Sequence, residues 1–398
     1  MLITSYYQKG EINEALRVFN DMPVKDIVSW NSMIKGCLSC GDLDMARKLF
    51  DEMPGRNVVS WTTIVDGCAQ FGEVEMAEEL FGKMPWRDIA AWNSMVFGYC
   101  SNGRIEDGFE LFKRMPRRDD ISWTTMIGGL GQCGRSEEAL FLFQEMCVLG
   151  VKPTPSTYSS VLTACANISA LCCGVQLHAL VVKIGYVFDT FISASLITFY
   201  AHCTLVDNSL KVFEDNLVAN VVMWTALITG YGLNSKHEEA LEVFYGMIMS
   251  GTMPNQFTFA SALKSCSELD ALDRGKGLHT RTIKLGLDVD VFVGNSLIVM
   301  YTECGCVGDG ITIFNNMKVP PDEITYVGLL TACSHCRMLD KGKYFFEKLN
   351  WDPSVEVKLE HYACMVDILG AIWKVGGGRG VYLEDACESR IYSVDSIT

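Results

Sequence analysis

The sequence has no long apolar run, although 49% of its 398 residues are hydrophobic. The most apolar stretch, around Leu177 to Phe199, is interrupted by Lys183 and Asp189. No run approaches the roughly 20 apolar residues that a membrane-spanning helix needs. We therefore expect no membrane association.

Positive charge is also scarce. The chain has 33 Lys and Arg against 48 Asp and Glu, which gives a formal net charge of −15. An acidic chain is repelled by the phosphates of nucleic acids and by anionic lipids. The composition therefore argues against nonspecific adhesion to either.

Catalytic signatures are missing as well. His237-Glu238-Glu239 matches the first half of a zinc deaminase motif, but no Cys follows a Pro, so the Pro-Cys-x-x-Cys half is absent. The glycine run at Gly376 lacks the Gly-Lys-Ser/Thr of a phosphate-binding loop. We expect neither catalysis nor a cofactor.

Seventeen cysteines would suggest disulfides in a small secreted protein. Many recur at equivalent positions of a repeat, as Cys37 and Cys68 do, which favours buried thiols in a reducing compartment. The pairs Cys37/Cys40 and Cys333/Cys336 have the spacing of half a zinc site, but we interpret them as core or adventitious thiols and expect no bound metal.

What the sequence does have is a fixed period of 31 residues. Four kinds of residue keep this interval: Gly10, Gly41, Gly72, Gly103 and Gly134; Trp30, Trp61, Trp92 and Trp123; Phe19, Phe50, Phe81, Phe112 and Phe143; and the Met-Pro pairs that begin at Met22, Met53, Met84 and Met115. A period between about 20 and 50 residues is typical of stacked-repeat proteins.

Each repeat is predicted to form two antiparallel helices. In the unit that begins at Ile27, the apolar residues of the first helix recur at three- and four-residue spacing: Trp30, Met33, Ile34 and Cys37. Gly41 ends this helix and Asp42 caps the next one, whose apolar stripe holds Leu43, Ala46, Phe50 and Met53. Pro54 then ends the second helix.

The period changes along the chain, so the predicted units differ in length. Their boundaries are 27–57, 58–88, 89–119, 120–154, 155–189, 190–220, 221–255, 256–290, 291–322 and 323–358. An incomplete unit, 1–26, precedes them, and residues 359–370 form the start of a truncated repeat. We expect the divergent tail, 371–398, to be disordered.

Three phrases of the sequence resemble the pentatricopeptide repeat: Val58-Val59-Ser60-Trp61-Thr62-Thr63-Ile64, Leu80-Phe81-Gly82-Lys83-Met84-Pro85 and Gly150-Val151-Lys152-Pro153. The mixture of 31- and 35-residue units resembles the plant organellar subclass that combines standard, long and short repeats. Tetratricopeptide repeats have a period of about 34 residues, but their Trp-x-x-Leu-Gly-x-x-Tyr pattern is absent.

The resemblance implies an all-α fold, a right-handed superhelical α-solenoid of about ten helix-turn-helix repeats. It also implies a monomer that binds single-stranded organellar RNA, one base per repeat, and guides RNA processing or C-to-U editing by a partner enzyme in trans. The implied location is the mitochondrion or chloroplast. No transit peptide is visible, because Met1-Leu2-Ile3 is predicted to lie within a helix.

Two alternatives remain open: a scaffold for protein–protein interactions, and a truncated product without RNA binding. The acidic charge favours the scaffold, as does the thirteenth residue of each unit. In pentatricopeptide repeats the thirteenth residue is often a Lys that contacts phosphate. None of the thirteenth residues in this sequence is Lys or Arg.

By the same resemblance, the fifth and the last residue of each unit recognise one base. The predicted pairs are Asn31/Asn57, Thr62/Asp88, Asn93/Asp119, Thr124/Thr154, Thr225/Asn255 and Asn295/Asp322. The family's code assigns them C, G, U, no base, A and U, so the predicted target is C-G-U-x-x-x-A-x-U. Second residues such as Val28, Val59 and Val222 are predicted to flank each base. A rival hypothesis is that the small polar fifth residue merely caps or solvates its helix.

Overall fold

The computed structural model describes residues 6, 7, 9, 11–216 and 219–373, the last three by their helical backbone alone. This part of the chain forms 22 α-helices and no β-strand, which confirms the all-α repeat fold predicted from the sequence. The predicted helix at Met1–Ile3 and the predicted tail after residue 373 lie outside the described residues.

Every predicted unit from 27–57 onward contributes a first helix, which we call helix A. The A helices are α2 (Ile27–Ser39), α4 (Val58–Gln70), α6 (Ile89–Ser101), α8 (Asp120–Gln132), α10 (Pro155–Asn167), α12 (Thr190–His202), α14 (Val221–Leu233), α16 (Gln256–Glu268), α18 (Val291–Glu303), α20 (Glu323–His335) and α22 (Leu359–Trp373). Each begins at the first residue of its unit. The last one runs three residues past the predicted boundary at 370.

A second helix, helix B, follows each helix A except α22 within the described residues. The B helices are α1 (Ile12–Asp21), α3 (Leu43–Glu52), α5 (Val74–Lys83), α7 (Ile105–Arg114), α9 (Ser136–Val148), α11 (Leu171–Ile184), α13 (Val206–Glu214), α15 (His237–Met249), α17 (Leu272–Lys284), α19 (Val307–Asn316) and α21 (Leu339–Trp351).

The helices form two compact units, Met1–Asn234 and Ser235–Thr398. Within each unit, consecutive A helices pack against each other, and most B helices pack against their own helix A and the next one. In the N-terminal unit, for example, α4 contacts α6, and α5 contacts both. Each unit is therefore a solenoid of stacked helix pairs, since a short amphipathic helix buries its apolar face only against neighbours.

Aromatic pairs hold successive repeats together. A Phe of helix B packs edge-to-face on the Trp of the next helix A, with ring centroids 5.0 Å apart for Phe50–Trp61 and for Phe112–Trp123. Trp123 is only 1% exposed. Edge-to-face pairs contribute about 0.5–1.5 kcal/mol beyond the burial of their area. The periodic Trp and Phe residues therefore form the core.

Consecutive A helices approach closely at small residues. A Cβ atom added to Gly98 of α6 would lie 2.5 Å from the Cβ of Ala69 on α4. Only a glycine permits this separation without a shift of one helix. The close approach brings the fifth residue of one helix A near the start of the next.

In every unit from 1–26 to 291–322, the last residue caps the helix A that follows. Oδ1 of Asn57 accepts a hydrogen bond of 2.9 Å from the backbone N–H of Ser60, and Oδ1 of Asp119 accepts one of 2.9 Å from Ser122. Such N-caps stabilise a helix by about 1 kcal/mol. The residues predicted to recognise bases therefore also have a structural role.

An arginine closes the carboxyl end of several B helices, a device absent from the sequence analysis. Arg118 donates from Nε to the carbonyl oxygen of Phe112 over 2.8 Å, and its guanidinium lies 4.8 Å from the centroid of the Phe112 ring. Arg56 and Arg87 make the equivalent bonds to Phe50 and Phe81. These bonds satisfy carbonyls that a helix end leaves unpaired.

Among the described residues six cysteines are buried, six are exposed and four are intermediate, and we predict that the exposed set reacts while the buried set does not. Burial raises the pKa of the Cys37 thiol to about 12 and that of Cys68 to about 11. Because a thiol is protonated below its pKa and only the thiolate is nucleophilic, both stay inert at pH 8. Iodoacetamide at pH 8 should modify the exposed set, Cys40, Cys133, Cys147, Cys172, Cys173 and Cys336.

Mass spectrometry of tryptic peptides after labelling checks this prediction. In urea, the buried set should also react: Cys37, Cys68, Cys100, Cys165, Cys266 and Cys333. Modification of the Cys68 peptide in the native protein would contradict the burial described above.

Candidate nucleic-acid interface

The second and fifth residues of a unit lie on one face of helix A, since positions three apart are neighbours on a helix. The last residue of the unit caps the next helix A, which packs directly against the first. Within one compact unit, the second, fifth and last residues of a repeat thus lie at the junction of two A helices.

Three of the predicted pairs are hydrogen-bonded to each other. The Nδ2 of the fifth residue donates to Oδ1 of the last residue over 3.4 Å for Asn31–Asn57, 3.2 Å for Asn93–Asp119 and 3.0 Å for Asn295–Asp322. These residues are 26 or 27 positions apart in the sequence. The fold therefore brings each of these pairs together, and the two side chains orient each other.

The threonine pair of the fourth repeat meets through a third residue. Thr124 Oγ1 lies 2.6 Å from Oγ1 of Thr157, and Thr154 Oγ1 lies 3.0 Å from the same atom. Thr157 is buried and is the third residue of α10. The hydroxyl groups of Thr124 and Thr154 are thus engaged by the protein.

The pair Thr62/Asp88 has no hydrogen bond between its members. Thr62 is half-buried on α4, whereas Asp88 is exposed and caps α6 through a 2.8 Å bond from the backbone N–H of Ala91. The remaining predicted pair is Thr225/Asn255. Oγ1 of Thr225 donates to the carbonyl oxygen of Val221 in the N-terminal unit. Asn255 caps α16 in the C-terminal unit.

Three fifth residues, in three consecutive repeats, carry a buried oxygen without a protein hydrogen-bond partner. These atoms are Oδ1 of Asn31, Oγ1 of Thr62 and Oδ1 of Asn93. In the two asparagines the amide nitrogen donates to the neighbouring cap, while the amide oxygen has no protein partner. An unsatisfied buried polar group costs about 1–3 kcal/mol, so a donor on a ligand would be favourable at each position.

Asn295 differs from Asn93 although both are paired with an aspartate. Its Oδ1 accepts a 2.6 Å hydrogen bond from Oγ1 of Thr325, the third residue of α20. The hydroxyl of Thr325 also lies 2.7 Å from Oδ1 of its cap Asp322, whereas the equivalent Ser122 of α8 bonds its cap Asp119, over 2.8 Å, and not Asn93. The oxygen of Asn295 is therefore occupied by the protein.

The aspartates of these pairs remain ionised at neutral pH. Burial raises the pKa of Asp119, but hydrogen bonds from Ser122 and Asn93 outweigh it and hold this pKa below its ordinary value. For Asp322, burial likewise raises the pKa, but hydrogen bonds from Thr325 and Asn295 outweigh this effect and hold the pKa below its ordinary value. Both carboxylates are therefore pure hydrogen-bond acceptors.

The second residues form a row of exposed side chains. Val28 is 70% exposed, Val59 57% and Val222 44%. Four further apolar second residues, which were not predicted as site residues, are also exposed: Phe191, Phe257, Phe292 and Ile324. Their position as the second residue of a repeat would have predicted that they belong to this row. Exposed apolar groups beside polar ones suit the face and edge of a nucleobase.

A groove of ≈ 320 Å³ runs between α6, α8 and α10 in the N-terminal unit. Its lining includes Ile121, Thr124 and Thr154, the second, fifth and last residues of one repeat, together with Phe97 and Ser160. The three predicted positions of this repeat thus border one concave surface.

Two other kinds of site, a metal site and a membrane-spanning helix, were sought among the residues that the structure describes. No cluster of three or more His, Cys, Asp or Glu side chains there could hold a metal ion. No helix among those residues has the length and apolar character to cross a bilayer. His237, from the partial deaminase motif, is the first residue of α15.

Comparison with protein families decides the identity of the repeat. A model of the PPR repeat matches residues 1–27, 28–58, 59–89 and 90–119. A second model, of the PPR repeat family, matches residues 118–167 and 219–268. Together they cover more than half of the chain. The chain belongs to the pentatricopeptide repeat family.

Several plant pentatricopeptide repeat proteins are similar to it. A mitochondrial pentatricopeptide repeat-containing protein of Arabidopsis thaliana is 47% identical over 260 residues, 56% of this chain and 37% of its own length. A chloroplastic one from the same plant is 33% identical over 253 residues, 55% of this chain and 29% of its own. The chain thus spans about a third of the length of these relatives.

Among solved structures, the maize pentatricopeptide repeat protein PPR10 is similar over 94% of this chain and 62% of its own, with a TM-score of 0.46 and 18% identity. A structure of PPR10 in complex with an 18-nt psaJ RNA element covers 96% of this chain and 59% of its own, with a TM-score of 0.41.

Proposed function

We propose that this pentatricopeptide repeat protein binds single-stranded RNA in a plant organelle and recognises one base at each of several repeat junctions. The observation that carries the proposal is the set of unpaired buried oxygens on Asn31, Thr62 and Asn93. They occupy the same position in three consecutive repeats. A ligand with regularly spaced hydrogen-bond donors fits such a row, and successive bases have that property.

The flanking row supports the same ligand. Exposed apolar second residues, such as Val28 and Val59, offer surfaces on which the faces of bases stack. Asn and Thr side chains offer hydrogen-bonding groups that distinguish base edges. The proposed target is C-G-U-x-x-x-A-x-U, from the 5′ end along the chain.

We further propose that the bound RNA is delivered to a partner enzyme for processing or C-to-U editing. The mixture of 31- and 35-residue units, which resembles the plant organellar subclass, supports this role. The organelle is proposed from the mitochondrial and chloroplastic names of the relatives.

Binding to 12-mer RNAs at low salt tests the proposal. We expect an RNA that contains C-G-U at its 5′ end to bind at least about tenfold more tightly than a scrambled RNA, because each lost base contact costs about 1–3 kcal/mol. Fluorescence anisotropy with labelled RNA measures both dissociation constants. Because the thirteenth residues carry no Lys or Arg, the salt dependence should be shallow.

A pair of triple variants controls for changes in folding. Replacement of Asn31, Thr62 and Asn93 by Ala should abolish the preference for C-G-U. Replacement of the adjacent sixth residues Ser32, Thr63 and Ser94 by Ala should preserve it. Equal or undetectable binding of both RNAs by the wild-type chain would overturn the proposal and favour the protein-interaction scaffold, which the net charge of −15 also suits.

A further inference from the structure

Two exposed phenylalanines touch each other in the row of second residues. Phe257 of α16 and Phe292 of α18 are 52% and 45% exposed, and their ring centroids lie 5.2 Å apart at an interplanar angle of 60°. Both belong to the C-terminal unit. No other two consecutive repeats have Phe at both second positions.

The separation of these rings leaves no room for a base between them. A base that stacks on two flanking groups makes two van der Waals contacts of about 3.5 Å each, which requires about 7 Å between those groups. A centroid distance of 5.2 Å is instead that of two rings in direct contact. The site that Phe257 and Phe292 would flank is thus closed by their own side chains.

The edge of a base would also find little to bind in this repeat. The fifth residue, Ala260, has only a methyl group, so it cannot form a hydrogen bond with a base. The last residue, Asp290, accepts a 3.1 Å bond from the backbone N–H of Val293 and serves as the cap of α18. In the repeat 89–119, by contrast, Asn93 and Asp119 form a polar pair with an unpaired oxygen.

We propose that the repeat 256–290 binds no base, because the Phe257–Phe292 contact closes its site, and that the nucleotide opposite it is an unbound spacer. The inference rests on the proposed function and deepens it. The eighth nucleotide of the target then contributes to the spacing of its neighbours and not to recognition.

An abasic nucleotide tests this with the wild-type chain. In the predicted target RNA, removal of the eighth base should change the dissociation constant less than twofold. Removal of the third base, opposite Asn93, should weaken binding about tenfold. If both removals weaken binding, the inference is wrong while the proposed function stands. If neither does, or if the RNA does not bind, the proposed function itself fails.

Variants separate the ring contact from the missing polar group. The double variant Phe257→Val with Ala260→Asn copies the apolar and polar residue types of the N-terminal repeats next to the existing Asp290. It should gain a preference for U at the eighth position of at least about fivefold. Ala260→Asn alone should gain none, because the rings remain in contact.

Phe141→Val combined with Ala260→Asn is the matched control, since Phe141 is also exposed, at 70%, and lies on the B helix α9 outside the proposed site. It should leave the preference at the eighth position unchanged. A preference for U in the Ala260→Asn single variant would overturn the inference, because the site would then be open with both rings present. If the double variant does not fold, as judged by circular dichroism, the abasic comparison with the wild-type chain decides alone.

Discussion

Trp123→Ala should lower the free energy of unfolding by about 3–5 kcal/mol, the range for removal of a large aromatic side chain from a core. Trp123 is 1% exposed and packs edge-to-face on Phe112, with Arg118 6.0 Å from its ring. It lies on α8, which contacts both α6 and α10 in the N-terminal unit. The loss should therefore weaken two repeat junctions at once.

Trp86→Ala is the matched control, because Trp86 has the same side chain at 72% exposure between α5 and α6. A surface substitution of this kind changes stability by about 0.5 kcal/mol or less. Urea unfolding followed by circular dichroism gives both midpoints. Since repeat arrays do not always unfold in one step, midpoint and steepness are compared together. Similar losses for both variants would contradict the core role of Trp123.

The helix pattern could be predicted from the sequence because local chemistry determines it. A cap residue such as Asp26 stands directly before an apolar stripe that begins at Ile27, and Gly41 adopts the left-handed conformation that ends the first helix, at φ 84°. These signals recur at one interval, so an error in one repeat is corrected by the others. The buried Trp–Phe pairs follow from the same periodicity.

The hydrogen bonding of the site could not be predicted in the same way. Which atom of Asn93 stays unpaired depends on Asp119, which lies 26 residues later and is brought near only by the packing of α6 on α8. The oxygen of Asn295 has a partner because the hydroxyl of Thr325 lies within hydrogen-bond distance of it as well as of the cap, whereas Ser122 in the equivalent place bonds the cap alone. One residue in the next helix thus separates two pairs that are identical in sequence.

The closed site at Phe257 and Phe292 was beyond sequence analysis for a related reason. The period places both residues at the second position, but it gives no distance between neighbouring A helices. The centroid distance of 5.2 Å decides between two rings that flank a base and two rings that exclude it. Repeats that look equivalent in sequence therefore need not contribute equally to binding.

Asn93→Thr should change the preferred third base of the target from U to G. The variant leaves Asp119 in place, so it reproduces the Thr62/Asp88 combination that the repeat code assigns to G. Thr has one hydroxyl in place of the amide, so the exchange changes which hydrogen-bonding groups on the edge of a base find a partner. Asn93 is only 8% exposed, so a group left without a partner there is buried. A mismatched buried group costs about 1–3 kcal/mol, which is about tenfold in affinity.

Four RNAs that differ only at the third base measure this change by anisotropy. The wild-type chain should prefer U at that position, and the variant should prefer G by a similar factor, with the first and second bases unaffected. Ser94→Thr is the control, because it introduces the same side chain at the adjacent position and leaves Asn93 intact. A variant that binds with unchanged preference for U, while its circular dichroism matches the wild type, would show that Asn93 only orients the cap of α8 and recognises no base.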